Sequence, residues 1–67
     1  MISETINKLN MNKQALAIKR TYNKYEKLGN EDKEVQTLLK MNALIKNKYE
    51  NICPSLAEQI AFEFVSQ

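Results

Sequence analysis

The sequence predicts an all-α fold: a small bundle in which an antiparallel helical hairpin is joined by a C-terminal packing helix. Three observations support this prediction. The 67 residues include one glycine and one proline, too few for the many turns of a β fold. Apolar residues recur at spacings of three and four over most of the chain, which is the helical period. A Gly-Asn pair interrupts this period midway. We therefore expect one domain over residues 1–67 with three to four helices.

Residues 1–10 leave two interpretations open. Their apolar side chains share a helical face with a later leucine; the set is Ile2, Ile6, Leu9 and Leu16. This face lies opposite the apolar stripe of the next segment. Either the chain breaks near residues 10–12, so that a short separate helix folds back, or residues 1–10 extend the next helix. In the second case the early face would bind a second copy of the protein.

The first long helix is predicted over residues 11–29. Its apolar stripe alternates spacings of four and three residues and consists of Met11, Ala15, Ile18, Tyr22 and Tyr25. We expect this stripe to face the core. Gly29 suits the left-handed conformation in which many helices end.

The second long helix is predicted over residues 31–52. Asn30 can cap it, and three acidic residues follow in the first turn, where the helix dipole favours them. The apolar seam consists of Val35, Leu38, Ile45, Tyr49 and Ile52. Asn42 falls inside this seam. It is either buried, where it would fix register or oligomeric state, or it lies at the edge and bonds to water or backbone.

The third helix is predicted over residues 55–66. Pro54 should end the preceding helix, and Ser55 with Glu58 has the spacing of a capping box. The predicted core face is Leu56, Ala57, Ile60, Ala61 and Phe64. The stretch also looks like part of a helix-turn-helix motif, but it offers no cation to phosphate. We therefore expect a packing helix rather than a recognition helix.

Charge is distributed unevenly along the chain, although the net charge is only +2. Basic residues outnumber acidic ones in residues 1–28, whereas the charged side chains of residues 51–67 are all acidic. Four basic residues share one face of the first long helix and form a basic stripe: Lys13, Arg20, Lys24 and Lys27. Such a stripe could bind phosphates or an acidic protein groove, or it could simply be the solvated side of a packed helix.

The composition argues against catalysis, cofactors and metals. Cys53 is the single cysteine and there is no histidine, which excludes an internal disulfide and a Cys/His zinc site. No glycine-rich loop or spaced carboxylate set is present. We therefore expect no enzyme, no cofactor and no metal. No signal peptide or membrane span is visible, and a free thiol suits the cytoplasm.

These patterns predict a small cytoplasmic protein–protein interaction module, a regulator, inhibitor or adaptor of bacterial or phage origin. We expect it to bind an unidentified protein and to form a homodimer, because apolar residues lie on opposed faces of so short a chain. Leu44 and Phe62 also point away from the main face of their helices. The interface candidates are Ile2, Ile6, Leu9, Leu16, Leu44 and Phe62. The alternative is non-specific nucleic-acid binding through the basic stripe.

Overall fold

The computed structural model describes residues 2–67, which form four helices and no strand. The helices are α1 (Ile2–Leu9), α2 (Lys13–Leu28), α3 (Glu31–Lys48) and α4 (Pro54–Val65). The predicted all-α bundle is therefore confirmed. Helices α2 and α3 pack against each other as the predicted antiparallel hairpin, and α4 packs against α1, α2 and α3.

A break after Leu9 separates α1 from α2, so the interpretation as one continuous helix is wrong. The Asn12 side chain caps α2 by accepting a 2.9 Å hydrogen bond from the backbone N–H of Ala15. This cap forms only if the helix begins after Asn12. Met11 consequently lies in the connection and is 81% exposed, whereas the sequence pattern placed it in the core stripe of a helix starting at residue 11.

The turn between α2 and α3 has the predicted chemistry. Gly29 adopts the left-handed conformation (φ 69°), and its N–H donates to the carbonyl of Glu26. The N–H of Asn30 donates to the carbonyl of Tyr25, which completes a Schellman motif. The Asn30 side chain then accepts from the N–H of Lys33 at 3.2 Å and caps α3. Two residues thus end one helix and begin the next, which makes the hairpin tight.

The connection from α3 to α4 differs from the prediction at both ends. Helix α3 ends at Lys48 rather than residue 52, because Tyr49 leaves the helical conformation (φ −123°, ψ 84°). Helix α4 begins at Pro54 rather than residue 55, since the fixed φ of proline suits the first helical position. The predicted capping box is therefore wrong. Ser55 lies inside the helix, and α4 has no side-chain cap.

The core lies where α4 meets the other three helices. Its buried apolar residues are Ile6, Leu9, Ala15, Tyr22, Met41, Ile45, Ala57, Ile60, Ala61, Phe64 and Val65. The predicted core face of α4 is confirmed, with Leu56 half-buried. On α3 the covered face is rotated from the predicted seam: Thr37 and Met41 are buried, whereas Val35 is exposed. The radius of gyration of 11.2 Å is that of a compact chain of this length, about 11 Å.

Candidate interaction surface

The predicted interface residues separate into buried and exposed groups. Ile6 and Leu9 lie in the protein's own core, so the structure corrects their assignment to an intermolecular interface. Helix α1 folds back onto α4. The opposed apolar faces that suggested a homodimer therefore pack together in the core of one chain. The other predicted residues that pack at the edge of this core are Ile2, Leu16 and Leu44. Phe62 alone of the predicted set is more than half exposed.

Phe62 forms part of an apolar depression between α3 and α4, which we call the α3/α4 groove. Val35 and Leu39, one turn apart on α3, line its other side. Phe62 and Val35 are each 57% exposed, and Leu39 is 61% exposed. Ala61 also lines the groove, and its small side chain leaves space between the helices. The depression has a volume of about 660 Å³.

Sequence patterns singled out Phe62 but missed its two neighbours on α3. The helical period predicts that Val35 belongs to the core seam, because it is spaced three residues from Leu38. Leu39 stands next to that seam in the sequence and carried no signal of its own. The helical period identifies residues that share a stripe, but it does not say which edge of the stripe a neighbouring helix covers.

The groove has acidic residues along its length and at one end. Glu58 and Glu63 line it from α4. Glu31 and Glu34 line a smaller depression that shares Val35 and Phe62 with it. Among residues 2–67, no basic side chain lines either depression. The groove is therefore apolar at its centre and negatively charged around it.

Tyr22 lines the smaller depression, and the negative charge there affects the pKa of its hydroxyl. Burial is the largest cause that raises the pKa of its hydroxyl, and the nearby carboxylates of Glu26 and Glu34 raise this pKa further. Both effects favour the neutral phenol over the phenolate.

Asn42 is the polar member of the groove lining. It is only 8% exposed, which decides between the two predicted placements in favour of burial. Its Oδ1 atom is buried without a hydrogen-bond partner. Thr37, the other buried polar residue on α3, donates its hydroxyl to the carbonyl of Lys33 at 2.7 Å. A buried acceptor without a donor costs about 1–3 kcal/mol, so we expect Asn42 to lower the stability of the isolated chain.

A second depression lies where α1, α4 and the connection after α3 meet. Its apolar lining is Ile2, Ile52, Leu56 and Ile60, with Thr5 and Tyr49 adding polar groups. The Tyr49 hydroxyl is buried without a hydrogen-bond partner. The apolar residues here are buried or half-buried, which distinguishes this depression from the α3/α4 groove.

The basic stripe is exposed along the whole of α2. Lys13, Arg20, Lys24 and Lys27 are all exposed. Lys19, in contrast, is half-buried, with its ammonium 5.1 Å from the centre of the Phe64 ring. This cation–π contact covers a core aromatic side chain, so Lys19 has a structural role that the four stripe residues lack.

Cys53 is exposed at the start of α4. Its Sγ lies 3.2 Å from the hydroxyl oxygen of Ser55. This hydrogen bond is the largest cause that lowers the pKa of the thiol, and the backbone of Ser55 and Leu56 lowers it further. The thiol is accessible, and the Ser55 hydroxyl is its side-chain hydrogen-bond partner.

Comparisons with known proteins give no match: no protein-family model, no curated protein and no solved structure matches this chain significantly. Within residues 2–67, no three Cys, Asp or Glu side chains are grouped so that they could hold a metal ion. The same part of the chain has no helix that is both long and apolar enough to cross a membrane. The α3/α4 groove is the candidate site at which exposed apolar side chains lie together.

Proposed function

We propose that this protein acts by binding another protein through the α3/α4 groove, as a regulator, inhibitor or adaptor. The observation that supports this most is the meeting of Val35, Leu39 and Phe62 at one exposed place. Fully burying a side chain of this size contributes about 1.5–3 kcal/mol. A small domain has a small core and is marginally stable, so leaving three large apolar side chains exposed is costly. Contiguous exposed apolar side chains mark interaction sites.

The dimensions of the groove favour a peptide segment as the ligand. The α4 residues that line the groove run from Ser55 to Glu63, which corresponds to a length of about 12 Å at ~1.5 Å per residue. A groove of this length accommodates about two turns of a second helix, as in helix-in-groove recognition. The exposed thiol of Cys53 supports a reducing compartment such as the cytoplasm.

Affinity capture with matched variants tests this proposal. The groove variant carries Leu39→Ser and Phe62→Ser, and the control carries Leu28→Ser, which removes an exposed leucine at the end of α2. We expect the wild type and the control to recover the same protein from a lysate, with or without nuclease, and the groove variant to lose it. Equal recovery by the groove variant would contradict the proposal.

Nucleic-acid binding through the basic stripe is a second candidate, supported by the exposure of all four side chains on one helical face. Residues 13–27 span about 21 Å along α2. Anisotropy of a labelled DNA duplex, measured against salt, tests it with a variant in which the four become glutamine. Four lost phosphate contacts would reduce the salt slope by about 3.6.

The matched control for this variant removes four exposed lysines from α3 instead: Lys33, Lys40, Lys46 and Lys48. Both variants have the same net charge, so only a local binding surface distinguishes them. Equal loss of affinity in both would show a non-local charge effect and would reject the basic stripe as a site.

A further inference from the structure

We infer that the α3/α4 groove binds a basic amphipathic helix of a different protein, whose apolar side chains contact Val35, Leu39 and Phe62 and which donates a hydrogen bond to Asn42. The inference rests on the proposed function and adds the chemistry of the partner. Charge, symmetry and the unpartnered amide oxygen each support it.

The charges around the groove specify a basic partner. Glu58 and Glu63 lie along the α4 side, and Glu31 and Glu34 lie at the end beyond Phe62. A helix whose apolar face fills the groove places the flanking residues of that face next to these carboxylates. Lysine or arginine at the flanks is attracted, and aspartate or glutamate is repelled. Such complementarity sets specificity and association rate more than affinity.

A second copy of the chain does not meet this requirement. A twofold dimer places the same surface on both subunits, so the acidic groove of one subunit would face the acidic groove of the other. Insertion of α2 into the groove of another copy would supply basic residues. However, the apolar residues of α2 that would have to enter the groove already belong to the core: Ala15 and Tyr22 are buried, and Ile18 is partly buried against the core.

Asn42 provides the second, independent observation. Its side chain lines the groove, is more than nine-tenths buried, and has an Oδ1 atom without a donor. Because Oδ1 is buried, it accepts a hydrogen bond from a partner only after the amide rotates about the Cβ–Cγ bond. A lysine or arginine of the bound helix is a suitable donor, since hydrogen bonds to charged groups are the stronger ones.

A display library of helical peptides tests the partner's chemistry directly. Each member is a 14-residue helix with apolar residues fixed at positions i, i+3, i+4 and i+7, and an equal mixture of lysine and glutamate at the flanking positions. The bait is the full chain. We expect selection to enrich lysine over glutamate by at least about tenfold, because several like-charge contacts are avoided at once.

Charge-reversed baits make the result specific to the groove. Glu58→Lys with Glu63→Lys should invert the preference at the flanking positions that face α4, so that glutamate is enriched there. The control bait, Glu4→Lys with Glu50→Lys, makes the same change in net charge at exposed residues outside the groove and the smaller depression beside it and should keep the preference for lysine. Inversion on both baits would overturn the local charge argument.

Variants of the groove separate failure of this inference from failure of the proposed function. Binders that are lost on Phe62→Ser but show no preference for lysine would overturn the basic partner and leave the groove as a binding site. Peptides that bind Phe62→Ser as tightly as the wild type would overturn both the basic partner and the groove as a binding site. If the wild type sediments as a dimer that Phe62→Ser dissociates, the occupant is a second copy and the inference is wrong.

The hydrogen bond has its own test. Selected peptides should bind the Asn42→Leu variant about tenfold or more weakly, since a hydrogen bond to a charged donor is lost. Thr37→Val, at a buried residue outside the groove lining, should leave affinity unchanged. Equal affinity for wild type and Asn42→Leu would remove Asn42 from the binding site.

Discussion

Replacing Asn42 with leucine should make the protein more stable, although it changes a buried residue in the middle of α3. Asn42 is 8% exposed, and its Oδ1 atom has no hydrogen-bond partner. The folded state therefore removes this oxygen from water without compensation. Leucine of similar length has no polar atom to desolvate, and it packs against the apolar residues beside it.

The expected gain is about 2 kcal/mol. Removing an unsatisfied buried acceptor contributes about 1–3 kcal/mol, and leucine has a better helix propensity than asparagine by roughly 0.5 kcal/mol. A part of this gain is offset by strain, because leucine is the larger side chain. For a domain of this size, about 2 kcal/mol raises the melting temperature by roughly 8–16 °C.

Thermal and urea unfolding followed by circular dichroism at several protein concentrations measures this effect. Thr37→Val is the matched control, since Thr37 is buried on the same helix but its hydroxyl donates to the carbonyl of Lys33. That variant should lose up to about 1 kcal/mol. A loss of stability in Asn42→Leu, or equal effects in both variants, would refute the claim that Asn42 is unsatisfied.

Three further predictions concern the rest of the fold. Leu9→Ala should lower the free energy of unfolding by about 2–5 kcal/mol. This loss should not depend on protein concentration, because Leu9 is buried within one chain. A concentration-dependent loss in urea titrations would indicate an intermolecular site. Gly29→Ala should cost about 1–2 kcal/mol in the same assay, since alanine strains at φ 69° although nothing lies within 4 Å of the added Cβ; an unchanged midpoint would contradict this. The alkylation rate of Cys53, measured against pH, should show a thiol pKa below that of an ordinary thiol, so that the reactive thiolate forms at lower pH. Ser55→Ala should move the midpoint of this profile to higher pH. A profile that is the same in Ser55→Ala would exclude the hydrogen bond as the cause.

Local interactions made the helical hairpin predictable from the sequence. Among residues 2–67, Gly29 is the only residue with a positive φ, which glycine adopts without strain, and Asn30 caps the helix that follows directly. Both effects act within a few residues, so the amino acids themselves determine them. Pro54 similarly marks the start of α4, although the structure places it inside the helix rather than before it.

Only the tertiary structure decided which apolar residues are covered. The sequence showed that Leu9 and Tyr22 belong to different helical faces, but the break at Asn12 and the docking of α1 onto α4 bring both into one core. It also placed Val35 in a core seam, whereas α4 covers the neighbouring face of α3 and leaves Val35 in the groove. The helical period fixes how side chains are arranged around each axis, and the position of the other helices then decides which of them water reaches.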